Sequence, residues 1–183
     1  KDGCLMAVIE AIQTTYLEAD VTSVTFEDIP ASYEHLQIRM QMKSERAGSD
    51  VDGLRVYFGT GGTLDTVAAN YGYHWIRGVD TAEAAGGLNG TYLNFQNMLA
   101  AQSGATNAAN FGTMTLDISD YANGAKNTTC MAVMGSLGNW SNISFESGYW
   151  DNVAAVDKIQ LEQVNGPNFL RGSEFTLFGL ASS

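Results

Sequence analysis

Hydrophobic and polar residues alternate along much of the chain with the period of two that a β-strand imposes. In Glu34–Lys43, Leu36, Ile38, Met40 and Met42 occupy every second position, which predicts a strand with one buried and one solvated face. The same pattern predicts further strands, whose apolar positions are Val24 and Phe26, Leu54–Phe58, Met114–Ile118, Ile143 and Phe145, Ile159 and Leu161, and Phe175 and Leu177.

Three segments depart from simple alternation. Cys130–Met134 is a continuous apolar run, which is typical of a strand covered on both sides. Leu5–Leu17 fits either a helical face or a strand, and its periodicity does not decide between them. Thr81–Ala109 is rich in Ala, Gly and Asn, and we expect long loops there around one short strand.

The order of these segments indicates the fold class. About eight or nine short strands, separated by turns rich in Gly, Asn, Ser and Asp, argue for a sandwich or barrel. The 183 residues have the length of one domain. We therefore predict an all-β chain, folded as a single antiparallel, jelly-roll-like β-sandwich with long loops and an N-terminal arm of about residues 1–12.

Composition narrows the classes of partner. Nine Lys and Arg stand against twenty Asp and Glu, a net charge of −11 with an isoelectric point near 4.3. Such a field repels phosphate backbones and anionic lipid headgroups, so we expect neither nucleic-acid nor membrane binding. No run approaches the roughly 18 apolar residues of a membrane span. Only 16% of residues are charged and 45% are hydrophobic, which favours a particle with part of its surface buried against a partner.

Enzyme signatures are mostly missing from the chain. The two histidines, His35 and His74, are far apart, and no GxSxG motif marks a nucleophilic serine. Gly59–Gly62 does not complete a phosphate-binding loop and is interpreted as a turn. Cys4 and Cys130 are the only cysteines, and we expect them to be reduced. The sequence therefore predicts no catalytic residue and no cofactor.

Acidic and aromatic residues offer two weaker possibilities. Asp50 and Asp52 have an Asp-x-Asp-Gly spacing that could supply oxygen ligands to calcium, although turn-forming carboxylates are the favoured interpretation and no metal is predicted. Exposed aromatic rings could stack on sugar faces, although rings that alternate along strands more often pack in a core. The candidates for sugar stacking are Trp75, Trp140, Tyr149 and Trp150.

The chain resembles a known group of proteins in several segments. The run Val21–Arg39, VTSVTFEDIPASYEHLQIR, is similar to the opening of small virion structural proteins of tailed bacteriophages. Further similarities lie in Ile9–Leu17, Leu54–Phe58, Asn70–Trp75, Ile159–Leu161 and Gly172–Leu180. The resemblance implies that Ile9–Leu17 is a strand and that the protein belongs on a phage particle.

The resemblance implies a mechanical function. We expect a non-enzymatic capsid decoration, or cement, protein on the outer surface of the virion. It would stabilise the head as a homo-oligomer, with a trimer possible, against the major capsid protein or other virion proteins. The expected contacts come from the N-terminal arm and the 81–109 loops, at Leu5, Met6, Val8, Ile9, Ile12, Leu88, Tyr92 and Phe95. The alternative is a tail-fibre or receptor-binding module that recognises host surface glycans.

Overall fold

The computed structural model describes residues 9–101, 109–137 and 141–181, with the backbone alone for 96–101. Within these ranges the chain forms strands and turns without a helix, and so the described part holds no helix that could cross a membrane. The strands are β1 (Ile9–Tyr16), β2 (Ser23–Phe26), β3 (His35–Ser44), β4 (Val51–Thr60), β5 (Thr63–Leu64), β6 (Tyr71–Val79), β7 (Ala82–Gly90), β8 (Leu93–Ala101), β9 (Gly112–Ser119), β10 (Thr128–Ser136), β11 (Asn142–Trp150), β12 (Lys158–Gln163) and β13 (Glu174–Leu180).

Two antiparallel sheets pack as a β-sandwich, which confirms the predicted fold class. The larger sheet has the order β1-β13-β3-β9-β10-β11-β6-β7. The smaller sheet has the order β2-β12-β4-β8, with β5 paired to the end of β4. A short parallel contact, Lys43 with Ala100 and Ser44 with Ala101, joins the two sheets at one corner.

The core lies between the sheets and is filled from the alternating strands. Leu36, Ile38, Met40 and Met42 of β3 are all buried, because the second sheet covers that side of the strand. Large aromatic rings fill the space, with the Phe58 ring centroid 6.0 Å from that of Trp150. The alternation predicted for β2, β9, β12 and β13 is confirmed in the same way, since their apolar sets are buried.

Several sequence predictions about the elements are wrong. The described strands number thirteen, more than the eight or nine expected. Residues 9–12, expected in the N-terminal arm, belong to β1, which pairs with β13; residues 1–8 lie outside the described part. The strand that the resemblance implied for Ile9–Leu17 is confirmed as β1. The segment 81–109, expected as long loops around one short strand, holds the two nine-residue strands β7 and β8. The Ala and Gly residues of β7 have low strand propensity, but β7 is held as a strand by its pairing with β6.

The prediction that Cys130–Met134 is covered on both sides is also wrong. Cys130, Ala132 and Met134 are buried, whereas Met131 and Val133 point away from the core and remain about half exposed. Only one face of β10 meets the second sheet. The apolar sequence on its other face has no cover within the described chain.

Candidate functional site

Strand β11 reverses the usual arrangement of polar and apolar residues. Its apolar residues Ile143 and Phe145 point outward and are 66% and 47% exposed. Its polar residues Ser144 and Glu146 point into the sandwich and are 2% and 0% exposed. A half-buried strand ordinarily does the opposite, so the outward apolar residues of β11 require an explanation beyond the fold itself.

The outward residues of β11 continue across neighbouring strands. Val133 of β10, Phe145 of β11 and Ile76 of β6 lie directly opposite one another in one row across the sheet. Met131 and Ile143 lie in the adjacent rows. We call these five outward side chains, Ile76, Met131, Val133, Ile143 and Phe145, the apolar face. Each is between 45% and 66% exposed.

Charge is sparse on the four central strands of this side of the sheet. On β9, β10, β11 and β6, the outward positions include one carboxylate, Asp117, and one histidine, His74. These two residues lie in the same row, on β9 and β6, the strands next to β10 and β11. A protein with net charge −11 thus presents an uncharged apolar area, and such areas mark interaction sites.

The apolar face is nearly flat. Three outward positions on the same strands are glycines, Gly135, Gly78 and Gly72. At Gly72 a Cβ would lie 2.2 Å from the Tyr149 ring, so this ring packs directly over the glycine. Beside Val133 and Ile143 a shallow groove of about 700 Å³ runs to Leu137 and Phe111. A flat, partly grooved sheet surface is suited to contact with another flat surface.

The side of β11 that faces the core holds a buried polar cluster. Ser144 Oγ lies 3.2 Å from Glu146 Oε1 and 3.3 Å from the carbonyl oxygen of Ile76. Asn142 Nδ2 donates to Ser136 Oγ at 3.1 Å. Burial raises the pKa of the neighbouring Cys130 thiol to about 12, and the Glu146 carboxylate adds to that shift. The hydrogen bonds satisfy Ser144 Oγ, Glu146 Oε1 and Asn142 Nδ2 inside the sandwich.

The predicted interface residues have mixed positions. Ile9 and Leu88 are exposed, Ile12 packs half-buried against the core, and Tyr92 packs against Tyr57 with ring centroids 5.5 Å apart. Phe95 is fully buried between the sheets, so its assignment to an interface is wrong. Leu5, Met6 and Val8 lie outside the described residues.

The predicted sugar-stacking residues do not form one platform. Trp150 is fully buried and donates from Nε1 to Asp65 Oδ2 at 2.8 Å, so its assignment to a glycan surface is wrong. Trp75 faces the inner side of the larger sheet and carries the Arg77 guanidinium 4.6 Å above its ring. Tyr149 points to the opposite side of the sheet. Trp140 lies outside the described residues.

The structure gives the calcium candidate Asp52 another role. Its carboxylate is fully buried and accepts hydrogen bonds from Ser44 Oγ, Gly53 N, Asn165 N, Asn165 Nδ2 and Gly166 N at 2.6–3.0 Å. These donors occupy both oxygens, so this carboxylate is a structural anchor. It ties the segment after β12 to β3 and β4. Asp50 is half-buried.

Another group of possible ligands lies at the surface. Glu34, His35 and Asp120 bring their ligand atoms within 4.8 Å of one another. His35 Nδ1 accepts a hydrogen bond from Asp120 N at 3.1 Å, and the Asp120 carboxylate pairs with Lys126. Because these contacts within the chain account for the geometry, we interpret the group as a surface polar cluster.

The apolar face was missed from the sequence although one signal for it was present. The continuous apolar run in β10 indicated two covered sides, and the structure shows one of them open. For β11 the alternation of Ile143 and Phe145 with Ser144 and Glu146 gave the period but not the direction. Sequence reasoning had placed the contacts instead in the arm and in the segment 81–109.

Comparison with known proteins adds little to this geometry. No family model matches the chain, and no curated protein matches it. Among solved structures, the marine PL-14 alginate lyase from Aplysia kurodai is similar with a TM-score of 0.40 and 7% identity, over 85% of this chain and 72% of that chain. A likeness at this level identifies neither a family nor an activity.

Proposed function

We propose that the protein is a non-catalytic structural subunit of a phage-type particle, most simply a decoration protein on the outer surface of the capsid. The observation that supports this proposal best is the apolar face on an otherwise acidic chain. Together with the segments similar to phage virion proteins, it favours assembly over chemistry. Virion proteins, with the major capsid protein first among them, would be the partners.

The physical role of such a subunit is to add buried area to a shell. Apolar surface removed from water contributes about 25 cal/mol per Å² before the costs of association are subtracted. A subunit that bridges shell proteins spreads this free energy over joints that internal pressure would open. The net charge of −11 keeps the remaining surface soluble and makes neighbouring particles repel one another.

The experiment for this proposal compares phage particles with and without the protein. Particles purified on a density gradient should contain the chain by mass spectrometry, and an electron-microscopy map should place it on the head lattice. Particles that lack it should release their genome at a lower temperature. Absence of the chain from purified particles, or unchanged heat tolerance without it, would contradict the proposal.

The glycan-binding alternative has less support from the geometry. Trp75 and Tyr149 lie on opposite sides of the same sheet, so one sugar chain cannot stack on both rings. The Trp75 ring is also covered on one face by Arg77. A map that placed the chain at the tail tip, together with glycan-array binding abolished by Trp75→Ala, would favour this alternative over decoration.

A further inference from the structure

We propose that the apolar face is covered by the same face of a second copy of this chain, in a two-fold symmetric dimer. This inference rests on the proposed assembly function and deepens it by naming the partner. The axis would run parallel to the strands, between β10 and β11. Rotation about that axis keeps every row of the sheet in place and exchanges β10 with β11 and β9 with β6.

The pairing places a large side chain against a small one in two of the three central rows. Because Gly135 and Ile143 share a row, Gly135 of one copy would face Ile143 of the other. By the same symmetry Met131 would face Ser147, and Val133 would face Phe145. Alternation of large and small residues across facing layers lets two sheets interdigitate at the usual spacing of about 10 Å.

The same axis also pairs two polar side chains that lie on either side of β10 and β11. Asp117 on β9 and His74 on β6 lie in one row, with Met131 and Ser147 between them. Rotation brings Asp117 of each copy opposite His74 of the other, so that an imidazole N–H can donate to the carboxylate. An axis through β11 itself would instead place Asp117 over Gly87. Of these two axes, complementarity favours the one between β10 and β11.

The size of the face is compatible with a reversible dimer. Four strands over eight residues outline roughly 500 Å² per copy, or about 1,000 Å² for the pair. This is near the lower end of specific protein interfaces. The net charge of −11 on each chain opposes association elsewhere, whereas the outward positions of β10 and β11 carry no charge.

Sedimentation equilibrium of the full chain, from about 1 to 200 µM, tests the dimer. We expect a monomer–dimer equilibrium, and at least a tenfold higher dissociation constant for Phe145→Ser. The control is Val153→Ser, which removes an apolar side chain of similar exposure, 58%, away from the face and should leave the constant unchanged. A thermal melt checks that each variant is folded.

A double-mutant cycle tests the axis. His74→Glu places two carboxylates opposite each other, and Asp117→Lys removes the acceptor, so each should raise the dissociation constant about tenfold. The double variant should return to within about threefold of the starting value. Within one chain the two residues are three strand spacings, about 14 Å, apart, so rescue must act between copies. Asp117 also accepts from Gln37 Nε2 at 2.7 Å, a contact that the Asp117→Lys variant and the double variant lose equally.

Each contrary result has a defined meaning. A wild-type chain that stays monomeric at 200 µM, or forms trimers, would overturn the dimer. A double variant as weak as the singles would overturn the axis. If a monomeric chain still binds purified particles, the dimer is wrong while the proposed structural function stands.

Discussion

Strands β3 and β11 belong to the same sheet and carry the same alternating pattern. The apolar residues of β3, however, point into the core, whereas those of β11 point outward. β3 buries Leu36 and Ile38 and exposes Arg39. β11 exposes Ile143 and Phe145 and buries Glu146. The smaller sheet lies over the inner side of both strands, so the cover within the chain does not explain the difference.

The comparison separates two uses of apolar residues. In β3 they stabilise the single chain, because folding removes them from water. In β11 the outward residues Ile143 and Phe145 keep about half or more of their surface exposed after folding, and that surface remains available to a partner. The inward side of β11 is instead held by hydrogen bonds, and by Trp150 at its end. The predictions below test whether inward positions determine stability and outward positions determine assembly.

The largest effect is expected at the inward end of β11. Trp150→Ala should lower the free energy of unfolding by about 3–5 kcal/mol, because it leaves a cavity beside Phe58 and removes the hydrogen bond to Asp65. The control is the outward neighbour Tyr149→Ala, which should cost about 1 kcal/mol or less. Denaturant unfolding measures both. Equal losses would contradict the separation of the two sides.

A smaller effect is expected at the inward side of β10 at alkaline pH. Burial raises the pKa of the Cys130 thiol from its ordinary value of 9.0 to about 12. The unfolded chain therefore loses this proton first, and the stability tied to the neutral thiol is full below pH 9 and declines as pH rises toward 12. Between those values the wild type should lose about 1.4 kcal/mol per pH unit more than Cys130→Ala. Parallel curves for the two proteins would contradict the buried neutral thiol.

The smallest effect on stability is expected at the centre of the apolar face. Phe145→Ser, measured at a protein concentration where both chains are monomers, should lower the free energy of unfolding by about 1 kcal/mol. The side chain is about half exposed and its partner is absent under those conditions. A loss of several kcal/mol would show that Phe145 belongs to the core of the single chain.

The sequence predicted what depends on local pattern and missed what depends on distant partners. The alternation in β3 was sufficient to predict both the strand and its buried side, because its apolar residues face the core as a simple two-layer fold requires. The strand β7, with its Ala and Gly, could not be predicted because it forms only by pairing with β6. Asp52 has the spacing of a calcium ligand, but two of the residues that bond its carboxylate, Asn165 and Gly166, lie more than a hundred residues away.

The direction of β11 could not be derived for a related reason. Alternation fixes which residues share a side of a strand, but not which side the rest of the chain covers. The apolar run in β10 contained the missing information, because it indicated two covered sides. That inference was wrong for the single chain, and it is the prediction that we make for the assembled protein.

Oxidative footprinting of β10 tests the central claim most directly. Met131 points outward and is 45% exposed, whereas Met134 on the same strand points inward and is 2% exposed. We predict that Met131 is oxidised readily at low protein concentration and becomes several-fold protected at concentrations where the chain assembles, while Met134 stays protected throughout. Oxidation of Met131 at the same rate in the assembled and the dilute protein would contradict the claim that a partner covers this face.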